Sequence, residues 1–185
     1  MYFSNQPILP AVRQMKDFEK LLTSPYEYLV VLDVHMSQLK AMFQMAQAHS
    51  KKLMLHVDLI QGLQSDSYAV EYLCQEFRPY GLLSTKASVI TKAKQKGVVA
   101  IQRIFLIDNS SFEKSCALLE KTIPDFVEVL PSPMVNYMKQ EISIPLLAGG
   151  FIRTTDDVER SLRDGAVAVT TSSKELWKHY ANYNM

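Results

Sequence analysis

Two short runs of this sequence carry residues suited to holding an anion. Leu146–Ile152 reads LLAGGFI, and about twenty residues later Ala166–Ser173 reads AVAVTTSS. Gly149 and Gly150 let the backbone approach a ligand closely and adopt positive φ. Thr170, Thr171, Ser172 and Ser173 add hydroxyls and backbone N–H groups. Each run reads as a buried strand ending at the mouth of a helix. In a (β/α)8 barrel the loops after the seventh and eighth strands, with a nearby helix N-terminus, form a phosphate site. Taken singly the signals are weak, because a Gly-Gly pair serves a tight turn and Ser172-x-x-Glu175 fits a capping box. Their pairing points to a phosphate ligand. Arg153 is either a further phosphate partner or a surface residue ahead of the next helix.

A second set stands where other strands should end. Arg13 follows the first strand, Asp33 and His35 the second, and His56 and Asp58 lie at the third. Lys86 follows the fourth, Gln102 and Arg103 close the fifth, and Glu128 lies in the sixth. Alternation puts Glu128 on one side with Phe126 and Leu130, and His56 on one side with Met54 and Asp58. Carboxylates so placed can accept hydrogen bonds from a polyol, balance Arg or Lys, or hold a divalent cation. Asp33 and Asp58 could equally cap helices. The whole set falls at strand carboxyl ends, where barrel proteins keep their functional side chains.

The elements that must carry these residues alternate. Strands are expected at Ile8–Ala11, Tyr28–Asp33, Leu53–Asp58, Gly81–Ser84, Val98–Arg103, Phe126–Leu130, Pro145–Ala148 and Ala166–Thr170. Helices are expected at Met15–Thr23, Ser37–His49, Ser67–Phe77, Ser88–Lys96, Phe112–Lys121, Pro133–Glu141, Thr155–Asp164 and Ser173–Tyr180. The strands are too apolar for a sheet with one wet face. Eight βα units in 185 residues make a small TIM-type (β/α)8 barrel, an α/β fold spanning residues 1–185 as one domain. An open doubly wound sheet is the alternative, but the turn after the first strand, LPAVRQM, lacks the glycine pattern of that fold.

Composition narrows the chemistry. The chain is 48% hydrophobic and 21% charged, with net charge +1, so any nucleic-acid binding must use a local patch. Cys74 and Cys116 have no metal or redox spacing and fit buried thiols in a reducing cytoplasm. MYFSNQPILP is not a secretory signal, and no apolar run reaches membrane-span length. His35 and His56 show no zinc-ligand spacing, and no metal site is expected. Lys86 could form a Schiff base, although a rim lysine more often meets an anion. Trp177, Tyr180 and Tyr183 lie beside Lys174, Lys178 and His179. They could stack on unpaired bases, but packing of one helix face on the barrel is the simpler reading.

ILPAVR, LDVHMSQLK, LMLHVDLIQGL, AIQRIFLID, DFVEVLP, AGGFIRT and AVAVTTSSKELW occur in this order over nearly the whole chain. In these motifs the sequence resembles the glycerol-3-phosphate-responsive antiterminator family, regulators of bacterial glycerol uptake operons. The resemblance implies a TIM-barrel-like, non-enzymatic, cytoplasmic protein with glycerol 3-phosphate as effector and no cofactor. It implies action on the leader mRNA of a glycerol operon, without DNA or membrane partners, and leaves a homodimer open. On matching motif positions, Gly149, Gly150, Thr171 and Ser172 hold the phosphate. Asp33, Asp58, Gln61 and Glu128 read the glycerol hydroxyls or order the rim, and Arg13 and Arg103 supply positive charge. Three positions depart from the family pattern: Ser132–Pro133 after the sixth strand, Lys86, and Phe151 within AGGFI. The competing reading is a small phosphosugar isomerase or aldolase, with Asp58 and either His56 or Glu128 as acid and base.

Overall fold

Closure is decided by one strand pair. In the computed structural model, which describes residues 3–182, β1 (Ile8–Val12) runs parallel to β10 (Ala166–Thr171), with Ile8 opposite Val169 and Pro10 opposite Thr171. The other barrel strands are β2 (Tyr28–Val31), β4 (Lys52–His56), β6 (Gly81–Ser84), β7 (Val99–Phe105), β8 (Phe126–Leu130) and β9 (Leu146–Ala148). All are parallel, in the order β1-β10-β9-β8-β7-β6-β4-β2. The open-sheet alternative is therefore excluded. Two two-residue strands, β3 (Val34–His35) and β5 (Ile60–Gln61), form a separate parallel ladder above the barrel strands β2 and β4.

Side-chain alternation divides the apolar residues into two layers. Leu9, Ala11, Val30, Met54, Leu83, Ile101, Leu147 and Ala168 form one buried cluster, the barrel interior. Their strand neighbours, among them Ile8, Leu29, Leu55, Leu82, Ala100, Val127, Leu146 and Val169, form the larger cluster beneath the helices. Burial on both faces explains the near-continuous apolar strands.

The helices are α1 (Met15–Leu22), α2 (Met36–Ala48), α3 (Ser67–Glu76), α4 (Ala87–Lys96), α5 (Asn109–Thr122), α6 (Val135–Glu141), α7 (Thr155–Arg163) and α8 (Lys174–Ala181). Local chemistry sets several starts. Asp66 caps α3 by accepting from the Tyr68 and Ala69 N–H groups, and Thr154 with Asp157 makes a capping box on α7. Helix α5 starts three residues before the expected Phe112, because Asp108 accepts from the Ser111 N–H. On α8 the cap is Ser173, accepting from the Leu176 N–H, rather than the expected Ser172. That one-residue shift leaves Ser172 outside the cap.

Two expected strands stop early. The second ends at Val31 and the third at His56; Val57–Leu59 turns into a 3-10 segment. Alternation therefore does not carry from His56 to Asp58, and the two side chains part company. At the C-terminus Trp177 and Tyr180 are buried, and the Trp177 indole donates to the Thr171 carbonyl at 2.8 Å. The packing reading of that stripe holds for these two; Tyr183 lies outside the described residues.

Candidate functional site

The loops after β9 and β10 meet at the carboxyl end of the barrel. They border a pocket of about 220 Å³ lined by Gly149, Gly150, Phe151, Thr170, Thr171 and Ser172, with Arg13, Arg103, Glu128 and the apolar Ala11, Leu32, Leu130 and Ile152. Residues singled out in the sequence that share this cavity include Gly149, Gly150, Thr170, Thr171, Ser172, Arg13, Arg103 and Glu128.

The floor is a hydrogen-bonded chain across four strands. Glu128 is fully buried, and its carboxylate accepts from Arg103 Nε at 2.5 Å and from Thr170 Oγ1 at 2.5 Å. Thr170 Oγ1 also lies 3.3 Å from the Ala148 carbonyl. A buried carboxylate persists only when it is paired and hydrogen-bonded, and here both oxygens are engaged. Gly149 makes room for this chain. A Cβ there would stand 2.9 Å from Thr170 Oγ1 and 3.3 Å from Glu128 Oε1. Gly150 is needed for a different reason: its φ is +73°, while an added Cβ would make only ordinary contacts at 3.7 Å or more. Phe151 follows with φ of +57°, rare for a non-glycine residue, and exposes 67% of its surface at the pocket mouth.

The wall offers positive potential. Arg13 holds Asp33 at 2.8 Å in an exposed ion pair that lies partly over the rim. The N-terminus of α8 presents N–H groups with no intrahelical acceptor beside Thr171 and Ser172.

The remaining candidates lie around this cavity, outside its lining. Asp58 is saturated: its carboxylate accepts from Ser65 Oγ, Ser84 Oγ, Thr85 N–H and Thr85 Oγ1 at 2.5–2.8 Å. Burial alone would raise its pKa, but these four bonds outweigh burial and hold it below the ordinary carboxylate range. It pins the loop after β4 to the end of β6. Lys86 braces the same junction, donating from Nζ to the Ser65 carbonyl at 3.0 Å. His56 lies within the barrel, 2% exposed, and its Nδ1 has no hydrogen-bond partner among the described residues. Burial, then the Arg103 guanidinium, push its pKa down to about 4, so the ring is neutral at pH 7. Gln61 sits exposed in the β3–β5 ladder opposite His35. Arg153 faces a separate depression lined by Ser132, Pro133 and Asp157, and its backbone N–H is taken by Asp157.

Sequence reasoning missed Ser65, Ser84 and Thr85 as the partners that occupy Asp58. The signal for the latter two is the polar run STK at the end of the fourth strand, which does not reveal its partner. Among the described residues no helix is long and apolar enough to cross a membrane, and no group of His, Cys, Asp or Glu is placed to hold a metal ion.

Comparison with known proteins bears on what such a pocket serves. The family model described as glycerol-3-phosphate responsive antiterminator matches residues 8–177. The chain belongs to this family. A glycerol uptake operon antiterminator regulatory protein from Listeria monocytogenes is 46% identical, with 96% of this chain and 98% of that one covered and a TM-score of 0.92. An antiterminator-related protein from Thermotoga maritima has a TM-score of 0.84 at 22% identity, over 94% of this chain and 98% of that one. The uncharacterized protein YgcP of Escherichia coli K12 is 26% identical over 92% of this chain and 91% of its own. Deoxyribose-phosphate aldolase from Aeropyrum pernix, at 14% identity and a TM-score of 0.71, covers 91% of this chain and 86% of its own and shares the fold alone. The antiterminator family, rather than the aldolases that share its barrel, therefore frames the site.

Proposed function

We propose that the rim pocket of this antiterminator binds glycerol 3-phosphate. The phosphate sits against Gly150, Thr171, Ser172 and the N-terminus of α8, with Arg13 turning onto it. The glycerol end points down to the Arg103–Glu128 floor, its hydroxyls accepting from the part of the Arg103 guanidinium that Glu128 leaves free. The observation that carries this reading is the convergence of the β9 and β10 loops on a buried Arg103–Glu128–Thr170 floor. Charge arithmetic supports it. Arg13, Arg103 and Glu128 sum to +1 at the lining, so a dianion needs the helix N-terminus as well as the arginines. Releasing Arg13 costs little, because an exposed ion pair like Arg13–Asp33 is worth about 1 kcal/mol or less.

The liganded protein binds the leader mRNA of a glycerol uptake operon in the cytoplasm and prevents transcription termination there. Glycerol 3-phosphate acts as effector by binding the RNA-competent state more tightly. Residues 1–185 act as one unit without enzymatic turnover. Regulation rather than catalysis is favoured by the carboxylates: Asp58 and Glu128, the bases a phosphosugar enzyme would use, are already engaged by protein donors.

Calorimetric titration tests the first half, comparing glycerol 3-phosphate with glycerol and with inorganic phosphate. Saturable binding of the ester that exceeds both fragments is expected. Absence of any heat, together with no rise in melting temperature at millimolar ester, overturns it. A gel shift with leader RNA, with and without ester, tests the second half.

A further inference from the structure

A groove of about 1010 Å³, far larger than the rim pocket, lies between α2 and α3 on the barrel flank. Its floor is aromatic. Phe43 of α2 stacks on Phe77 at 5.2 Å and 26°, and Tyr72 of α3 meets Phe77 edge-on at 5.7 Å. Its rim is polar and basic. Lys40 and Arg78 line it, both exposed, and neither is ion-paired among the described residues, whereas Lys52, Lys94 and Lys96 elsewhere all are. Glu76 is the acid on the lining. Arg78 holds φ of +48°, a backbone state costly for an arginine, at the turn that ends α3.

We infer that this groove is the docking surface for an unpaired stretch of RNA, a base stacking on the exposed Tyr72 ring beside the Phe43–Phe77 stack and the phosphates meeting Lys40 and Arg78. The occupant follows from charge and shape. An exposed aromatic ring bordered by unpaired cations suits a polyanion with exposed rings. A paired A-form duplex cannot present its bases to such a floor. On a chain of net charge +1, binding of a polyanion must come from a local concentration of this kind. The inference rests on the antitermination reading for its ligand class, but the surface is argued from the groove alone.

The test uses the full chain, saturated with glycerol 3-phosphate, and fluorescence anisotropy with a labelled 12-nucleotide single-stranded RNA of leader sequence and a hairpin duplex of equal length. The variants are Lys40→Glu/Arg78→Asn, with asparagine chosen because it tolerates positive φ, and Tyr72→Leu. Glycerol 3-phosphate titration of each variant reports that the pocket is intact. The charge variant is expected to lose at least about tenfold in affinity for the single strand and to flatten its salt dependence. Tyr72→Leu is expected to lose about fivefold, with little change in salt dependence. The duplex is expected to bind more weakly than the single strand. Wild-type RNA binding that survives in both variants places the RNA elsewhere and overturns the groove while leaving the antitermination reading intact. No RNA binding by the wild-type protein overturns both. A dimer in sedimentation that the charge variant dissociates shows a second copy seated on the groove, and overturns the RNA assignment.

Discussion

Arg13 lines the rim pocket, and its guanidinium grips Asp33, the residue immediately ahead of the β3–β5 ladder. That ladder leads through His35 into α2, one wall of the aromatic groove. On the proposed binding mode, a phosphate that draws Arg13 inward loosens a restraint on the groove. Asp33→Asn removes the grip in advance. The expected result is tighter glycerol 3-phosphate binding by calorimetry and a smaller effect of ligand on RNA affinity. An unchanged ligand effect would show that the pair is only a surface ion pair.

Gly149→Ala forces a Cβ against Thr170 Oγ1 at 2.9 Å, and the stiff threonine has little room to yield. Overpacking of this sort costs about 1–3 kcal/mol. Loss of glycerol 3-phosphate binding should accompany the fall in melting temperature, because the Glu128–Thr170 bond is displaced. Gly150→Ala meets nothing closer than 3.7 Å and suffers only from its φ of +73°, so it should retain the pocket floor.

Arg103→Met strips the counter-charge from a carboxylate that has no access to solvent. Breaking one partner of a buried pair costs about 3–5 kcal/mol. Urea denaturation should show that loss. The double variant Arg103→Met/Glu128→Gln should recover at least half of it, since no lone charge remains. A single variant as stable as wild type would mean that water already reaches the pair.

His56 sets a pH dependence whose sign follows from its environment. Its folded pKa is about 4 against an ordinary 6.5, so between these values the unfolded chain binds a proton that the folded one refuses. Stability is full above pH 6.5 and falls as pH drops toward 4, by about 3 kcal/mol in all. His56→Leu should flatten urea midpoints across this window. Asp58, with its depressed pKa, loses its contribution only below that range.

Asp58→Asn replaces an acceptor of four hydrogen bonds with a group that cannot accept them all. The expected cost is about 2 kcal/mol in stability. Affinity for glycerol 3-phosphate should change less than twofold, since Asp58 does not line the pocket. A large loss of affinity at unchanged stability would restore Asp58 to a hydroxyl-reading role.

All eight barrel strands and all eight helices were legible in the chain, because burial on two faces and helical periodicity are local patterns. The two loops that border the rim pocket were legible for the same reason: glycines and hydroxyls stand where such strands stop. Tertiary structure alone decided which rim residues share a cavity. His56 and Asp58 are two residues apart, yet a 3-10 turn sends one into the barrel and the other onto Ser65, Ser84 and Thr85. Glu128 and Thr170 are 42 residues apart and meet at 2.5 Å because closure of the sheet brings β8, β9 and β10 side by side over a side-chain-free Gly149. Strand identity is a property of neighbouring residues; the pairing of distant polar atoms depends on strand order, register and the point at which each strand breaks off.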